Sequence, residues 1–97
     1  MKLKLSQKTL YDLEAIYSYG EDKFGSKQSY EYLKSINEHF KIILENPNIG
    51  RNRNEIKIGL HSFPHRSHII FYRVFKENNR IVSVLHGSRD YVNFLKK

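Results

Sequence analysis

His86, Arg89, Asp90 and Tyr91 crowd one short stretch near the C-terminal end, with Arg66 and Arg73 upstream. Cutting RNA needs a base for the 2′-OH, an acid for the leaving oxygen and cations around the phosphate. A histidine with an ordinary pKa of about 6.5 suits either proton role. The set a nuclease would draw on is therefore Arg73, His86, Arg89 and Tyr91. Asp90 works against that use, because it puts negative charge beside a phosphate. The same residues also have a fold-keeping use: His86 as a strand-end histidine bonded to a neighbouring carbonyl or to Asp90, and Arg89 with Asp90 as an ion pair contributing at most about 1 kcal/mol. His61, His65 and His68 invite a metal reading, but Arg66 sits among them and no thiol or carboxylate accompanies them. No metal and no cofactor is expected.

The charge that surrounds these residues is unevenly placed. Residues 1–50 carry seven lysines against seven acids, whereas residues 51–97 carry ten Lys/Arg against Glu55, Glu77 and Asp90, leaving +7. Such asymmetry points to a face that meets an anion, either nucleic acid or an acidic protein. Its centre is "SFPHRSHIIFYRV" (62–74). Pro64 lacks an N–H and interrupts strand pairing, so "PHRS" is expected to form a bulge or tight corner at a sheet edge. That corner would turn His65 and Arg66 outward, near Arg51 and Arg53 if the preceding loop folds toward them. Together with Arg89 these make the expected basic cluster for a target or partner.

The elements that must hold these groups fit one domain, 1–97. There is no cysteine, which excludes disulfides and thiolate metal sites and agrees with a reducing compartment. "MKLKLSQK" has no apolar core of a signal peptide, and the longest run of large apolar residues, Ile69 to Tyr72, is far short of a membrane span. A cytoplasmic protein with no membrane contact is expected. Lys2 to Leu5 alternates like a strand. Ser6 can cap a helix over about 7–23, with Leu10, Leu13, Ile16, Tyr17 and Phe24 at helical spacing. Gly25 is a natural terminator and Ser26 the next cap. A second helix carries Tyr30, Leu33, Ile36, Phe40, Ile43 and Leu44 and ends at Asn46-Pro47. So short a turn makes the helices an antiparallel hairpin. Strands follow at Glu55 to Phe63, His68 to Phe75 and Ile81 to His86, with Lys76 to Arg80 joining the last two. The fold class is α+β, β-α-α-β-β-β, with a helical hairpin on a twisted, mainly antiparallel sheet.

Pairing Phe75 with Ile81 puts Ile69, Phe71, Arg73, Phe75, Ile81, Ser83 and Leu85 on one face and His68, Ile70, Tyr72, Val74, Val82, Val84 and His86 on the other. Both faces are mostly apolar. One helical hairpin covers one side, and "RDYVNFLKK" reads as too short to cover the other well. The apolar partner-facing candidates are Ile70, Tyr72, Val74, Val82 and Val84. The alternative is that twist and the termini hide that face.

At this point the chain resembles the ParE branch of the RelE/ParE toxin superfamily. "DLEAIYSYGEDKFG" (12–25), "NPNIGRNRNEI" (46–56), "GLHSFPHRSHIIFYRV" (59–74) and "VLHGSRDY" (84–91) are similar, in order, to the family's first-helix, Pro-x-x-Gly-Arg, strand and closing motifs. His61 departs, standing where many relatives have arginine. The resemblance implies a toxin of a type II toxin–antitoxin system that poisons DNA gyrase. It also implies a hetero-oligomer with a ParD-like antitoxin, often acidic, that wraps the toxin with an otherwise disordered segment. RelE-type relatives instead cleave messenger RNA in the ribosome, with a catalytic arginine three residues before the tyrosine of the strand block. Counting back from Tyr72, this chain has Ile69 there, and the second catalytic arginine falls near Ser88, one place from Arg89. The resemblance therefore leans away from an enzyme. The alternatives are a RelE-type interferase and an inactive relative that only binds antitoxin. A fourth reading, a small basic nucleic-acid-binding domain, would need exposed stacking aromatics.

Overall fold

A computed structural model describes residues 2–76 and 78–96. Strand β1 (Lys2–Leu5) leads into α1 (Gln7–Phe24), whose N-terminus is closed by the Ser6 hydroxyl accepting from Thr9 N–H at 3.0 Å. Gly25, at φ 90°, breaks the helix and starts α2 (Ser26–Glu45) at once. Ser26 is thus the first helical residue and not a cap, since Gly25 fills that position with no side-chain bond. The hairpin closes tightly because Gly20 faces Ser29: a Cβ at Gly20 would lie 2.6 Å from the Ser29 hydroxyl, which donates to the Tyr17 carbonyl at 2.7 Å.

Four more strands follow: β2 (Arg51–Asn52), β3 (Leu60–His65), β4 (His68–Val74) and β5 (Asn78–His86), then the short helix α3 (Tyr91–Lys96). The sheet order is β1-β5-β4-β3-β2, parallel between β1 and β5 and antiparallel elsewhere. The α+β architecture is the expected one. The strand expected from Glu55 is shorter, because residues 54–59 turn, with Gly59 at φ 84°, and pairing starts only at Leu60. The last hairpin is also tighter than expected, since Phe75 N–H donates to the Asn78 carbonyl at 2.8 Å and β5 has already begun.

Ile36, Phe40 and Ile43 of α2 pack on Ile70, Tyr72, Ile81 and Val84 of the sheet. Tyr30, assigned from sequence to the same helical stripe, is exposed. The expected strand register does not hold. A bulge sets Tyr72 opposite Ile81 while Phe71 opposes Ser83, leaving Val82 as the extra residue. An extra residue exchanges faces beyond it. Ile81 therefore joins the hairpin side and Val82 the opposite side. Ile70, Tyr72 and Val84, expected to face a partner, are buried beneath the chain's own helices, while Val74 lies exposed near the strand end. The second face is covered from within the chain as well: Ile56 from the turn and Leu95 from α3 bury against Leu60, Phe71 and Leu85. The C-terminal stretch covers more than its length suggested, because as a helix it lays Tyr91, Phe94 and Leu95 on the sheet.

Beyond Leu5, β5 has no neighbouring strand on its outer side, and α1 supplies what a strand would. Ser6 N–H and the Thr9 hydroxyl donate to the Ile81 carbonyl, each at 3.0 Å, and the Ser6 hydroxyl donates to that of Val82 at 2.8 Å. Asp12 accepts from Val84 N–H at 3.0 Å and from the Ser83 hydroxyl at 2.7 Å, and it pairs with Lys8. A second tie fixes the loop after α2. The Tyr72 hydroxyl donates to the Pro47 carbonyl and accepts from Gly50 N–H, both at 2.8 Å, and a Cβ on Gly50 would lie 2.4 Å from that hydroxyl.

Removing an acceptor of this kind leaves buried donors unmet. Asp12→Ala is expected to cost about 2–3 kcal/mol in urea unfolding, with Asp12→Asn recovering part of it. Tyr72→Phe is expected to cost about 1–2 kcal/mol, and an unchanged midpoint in either case would rule out the anchoring role.

Candidate interaction site

The basic corner is a hairpin turn. His65 pairs with His68 across it, and Arg66, one of the two linking residues, takes φ 52°, a conformation uncommon outside glycine. Pro64 is tolerated because β2 pairs only with His61 and Ser62, which leaves the outer side of β3 open at that point. Arg66 points outward, its guanidinium 5.6 Å from the centre of the Tyr32 ring. His65 does not: it is 4 % exposed and lies against α2. The Ser35 hydroxyl gives its proton to the Tyr32 carbonyl at 2.6 Å, so Nε2 of His65 is the donor in the 2.8 Å contact to Ser35 Oγ.

Around His65 the chain gathers titratable groups that were not foreseen together. The His39 ring meets His65 edge-on at 4.2 Å, Tyr32 Oη lies 2.6 Å from His68 Nδ1, and His68 and His86 rings are 5.4 Å apart. Sequence reasoning misses His39, whose place on α2 one turn from Ser35 is the signal that marks it. Burial, then the charges of His39, Arg66 and His68, push His65 down to about 4. Burial and His86 lower His68 in the same direction. His65 and His68 are thereby held neutral at pH 7, and the cluster serves as a joint between α2 and the sheet tip.

The remaining basic residues are dispersed. Arg51 is exposed on β2 opposite Ser62, about 13 Å along the strand from Arg66 at the usual rise per residue. Arg53 is occupied: its Nε donates to Ser62 Oγ at 2.9 Å, it pairs with Glu55 at 3.2 Å, and it lies over the Tyr91 ring. Arg89 lies near the Arg66 turn, at the sheet end where Gly87 N–H donates to the Ser67 carbonyl, and packs over Phe94 at 4.4 Å. Asp90 does not pair with it, and instead accepts from Asn93 at 2.8 Å at the start of α3. His86 bonds Ser88, 2.7 Å from Nδ1 to Oγ, and not a carbonyl or Asp90.

The nuclease set does not converge. Tyr91 packs on Phe71 on the second face, while His86 stands beside His68 on the hairpin side. Arg73 pairs with Leu60 and Arg80 at the far end of β4, about 16 Å along the strand from the level of His86. No point in this arrangement lies within reach of a base, an acid and two guanidiniums.

Apolar surface is open on the hairpin, including Leu10 of the α1 stripe and Tyr11, which the stripe did not include. Leu10 is 43 % and Tyr11 60 % exposed, and with Leu13, Tyr17 and Leu33 they line an open groove of about 1070 Å³. The helical spacing that marked α1 as amphipathic covers more of its circumference than the sheet can bury.

Because His65 is neutral when folded and titrates near 6.5 when unfolded, the unfolded chain binds more protons between those values. Stability is complete above pH 6.5 and falls as the pH drops toward 4. At pH 5 the loss is expected to be about 2 kcal/mol relative to pH 7.5, and His65→Gln should flatten the dependence in urea titrations.

A family model described as the ParE toxin of the type II toxin-antitoxin system parDE matches residues 3–91. Toxin ParE1 of Caulobacter vibrioides is 31% identical over 85 residues, covering 88% of either chain. Toxin ParE1 of Mycobacterium tuberculosis is 35% identical over 79 residues, 80% of this chain and 81% of the relative. A solved structure titled "Chromosomal ParDE TA system from P. aeruginosa" shares the fold at a TM-score of 0.79 and 23% identity, over 89% of this chain and 95% of that one. The matched region takes in the Asp12 anchor, the Pro47–Gly50 loop tied by Tyr72, and the hairpin at Arg66. With a family match across nearly the whole chain and relatives above thirty per cent identity, the protein belongs to the ParE family, the toxins of ParDE-type toxin–antitoxin systems.

Proposed function

We propose that this chain arrests growth by binding DNA gyrase and trapping cleaved DNA, and that a cognate ParD-like antitoxin neutralises it in a hetero-oligomer. Family membership supports the toxin role. The observation that carries the non-enzymatic reading is the dispersal of Arg73, His86, Arg89 and Tyr91 over two faces and both ends of the sheet. A toxin without a converging acid, base and phosphate clamp acts by occupying a target. The antitoxin's covering segment lies along the α1–α2 groove, since both sheet faces are packed by the chain itself while Leu10 and Tyr11 remain open. Arg66, held outward by the strained turn, is a contact for the target or the antitoxin. No helix among the described residues is long and apolar enough to cross a membrane, which agrees with a cytoplasmic site of action.

Induced expression is expected to give filaments and an SOS response, and purified protein to accumulate gyrase-linked cleaved DNA. Transcripts cut on ribosomes, with gyrase unaffected, would refute this reading. Leu10→Glu with Tyr11→Glu is expected to weaken antitoxin binding at least tenfold (about 1.4 kcal/mol) without lowering Tm. Arg66→Ala should reduce toxicity or antitoxin affinity with the fold intact; normal values of both would remove it from the interface.

A further inference from the structure

On the second sheet face, at the end remote from the histidines, cations line up. Lys4 pairs with Arg80 across β1 and β5, and Arg80 pairs with Arg73 across β5 and β4. Cross-strand partners share a face at about 5 Å, and like charges so placed repel. The turn that passes Gly59 at φ 84° brings Lys57 to the same place. Among the described residues, no carboxylate lies within 4 Å of any of these four cations, the ion pairs there being Lys8 with Asp12 and Arg53 with Glu55.

The row is nevertheless ordered. Both guanidiniums lie over the ring of Phe75, Arg73 at 5.4 Å and Arg80 at 5.1 Å from its centre. Held against the ring, they line, with Lys57, Leu60, Val82 and Leu95, a cavity of about 250 Å³. Preorganised guanidiniums at the rim of a small apolar-floored hollow match the several acceptor oxygens of a phosphate. A single carboxylate would leave most of the donors unmet.

We propose that Lys4, Lys57, Arg73 and Arg80 form a binding site for a phosphate group, either the phosphodiester of a single-stranded nucleic acid or the phosphate of a free nucleotide. The site binds and does not cleave, because among the described residues no histidine or carboxylate lines it. It is separate from the histidine joint and from the α1–α2 groove. It stands independently of the gyrase reading, since it is tested by binding alone.

Calorimetric titration of the purified chain with inorganic pyrophosphate, with ADP and with a short oligo-dT tests it. Wild type is expected to bind pyrophosphate at one site, with affinity falling as salt rises. Arg73→Gln with Arg80→Gln should weaken binding at least tenfold, as should Lys57→Ala, which lies outside the strands. Lys27→Gln with Lys34→Gln, which removes the same charge from α2, should not. Tm of the double arginine variant should hold or rise as repulsion is relieved. Oligo-dT that competes with pyrophosphate assigns the site to nucleic acid, and pyrophosphate or ADP binding without competition assigns it to a free ligand. Absence of phosphate binding in wild type, equal binding in the arginine variant, equal loss in the lysine control, or a site that takes only an acidic antitoxin segment overturns the proposal.

Discussion

The structure depends on how the outer side of β5 is satisfied. A strand with open carbonyls and amides must find partners, and β1 reaches only as far as Ile81. The continuation comes from Ser6, Thr9 and Asp12, three residues apart along α1, so that one row of side chains meets one strand. This contact sets the height and angle of α1. Through the close approach of Gly20 to Ser29 it then sets α2, and through α2 the histidine joint at the sheet tip. The Asp-Leu start of the first-helix motif is an anchoring device by this account, unrelated to chemistry.

The arrangement of elements was legible because it rests on local rules: a capping serine, a glycine that ends one helix and opens the next, a proline that ends the second, and strands rich in branched and aromatic residues. What could not be read was the distribution of side chains between the sheet faces. One extra residue at Val82 exchanged Ile81 and Val82, and no local pattern marks a bulge in a strand apolar on both faces. The greasy sheet that seemed to require a second polypeptide is instead packed from both sides, by the hairpin and by Ile56 with α3. The surplus apolar surface lies on the hairpin, at Leu10 and Tyr11 of α1.

Candidate residues fared unevenly for a related reason. Composition showed that the second half of the chain is basic, but it could not show which cations are already used. Arg53 holds a turn, and His65 is a neutral donor to Ser35. Arg66, in the two-residue turn, stayed exposed with its guanidinium over the Tyr32 ring. The cross-strand row at Arg73 and Arg80 depends on register after the bulge, so it emerged only from the folded sheet.

Strand β1 pairs with β5, and the first helix with its capping Ser6 bonds backbone more than seventy residues away. During synthesis, these groups stay unmatched until residues 78–84 have left the ribosome. A growing chain is therefore without its first layer until β5 has been made, and for a fragment stopped before Asn78 the groups of β1 and α1 have no β5 to close upon. The interval before the complete fold can exist is built into the topology.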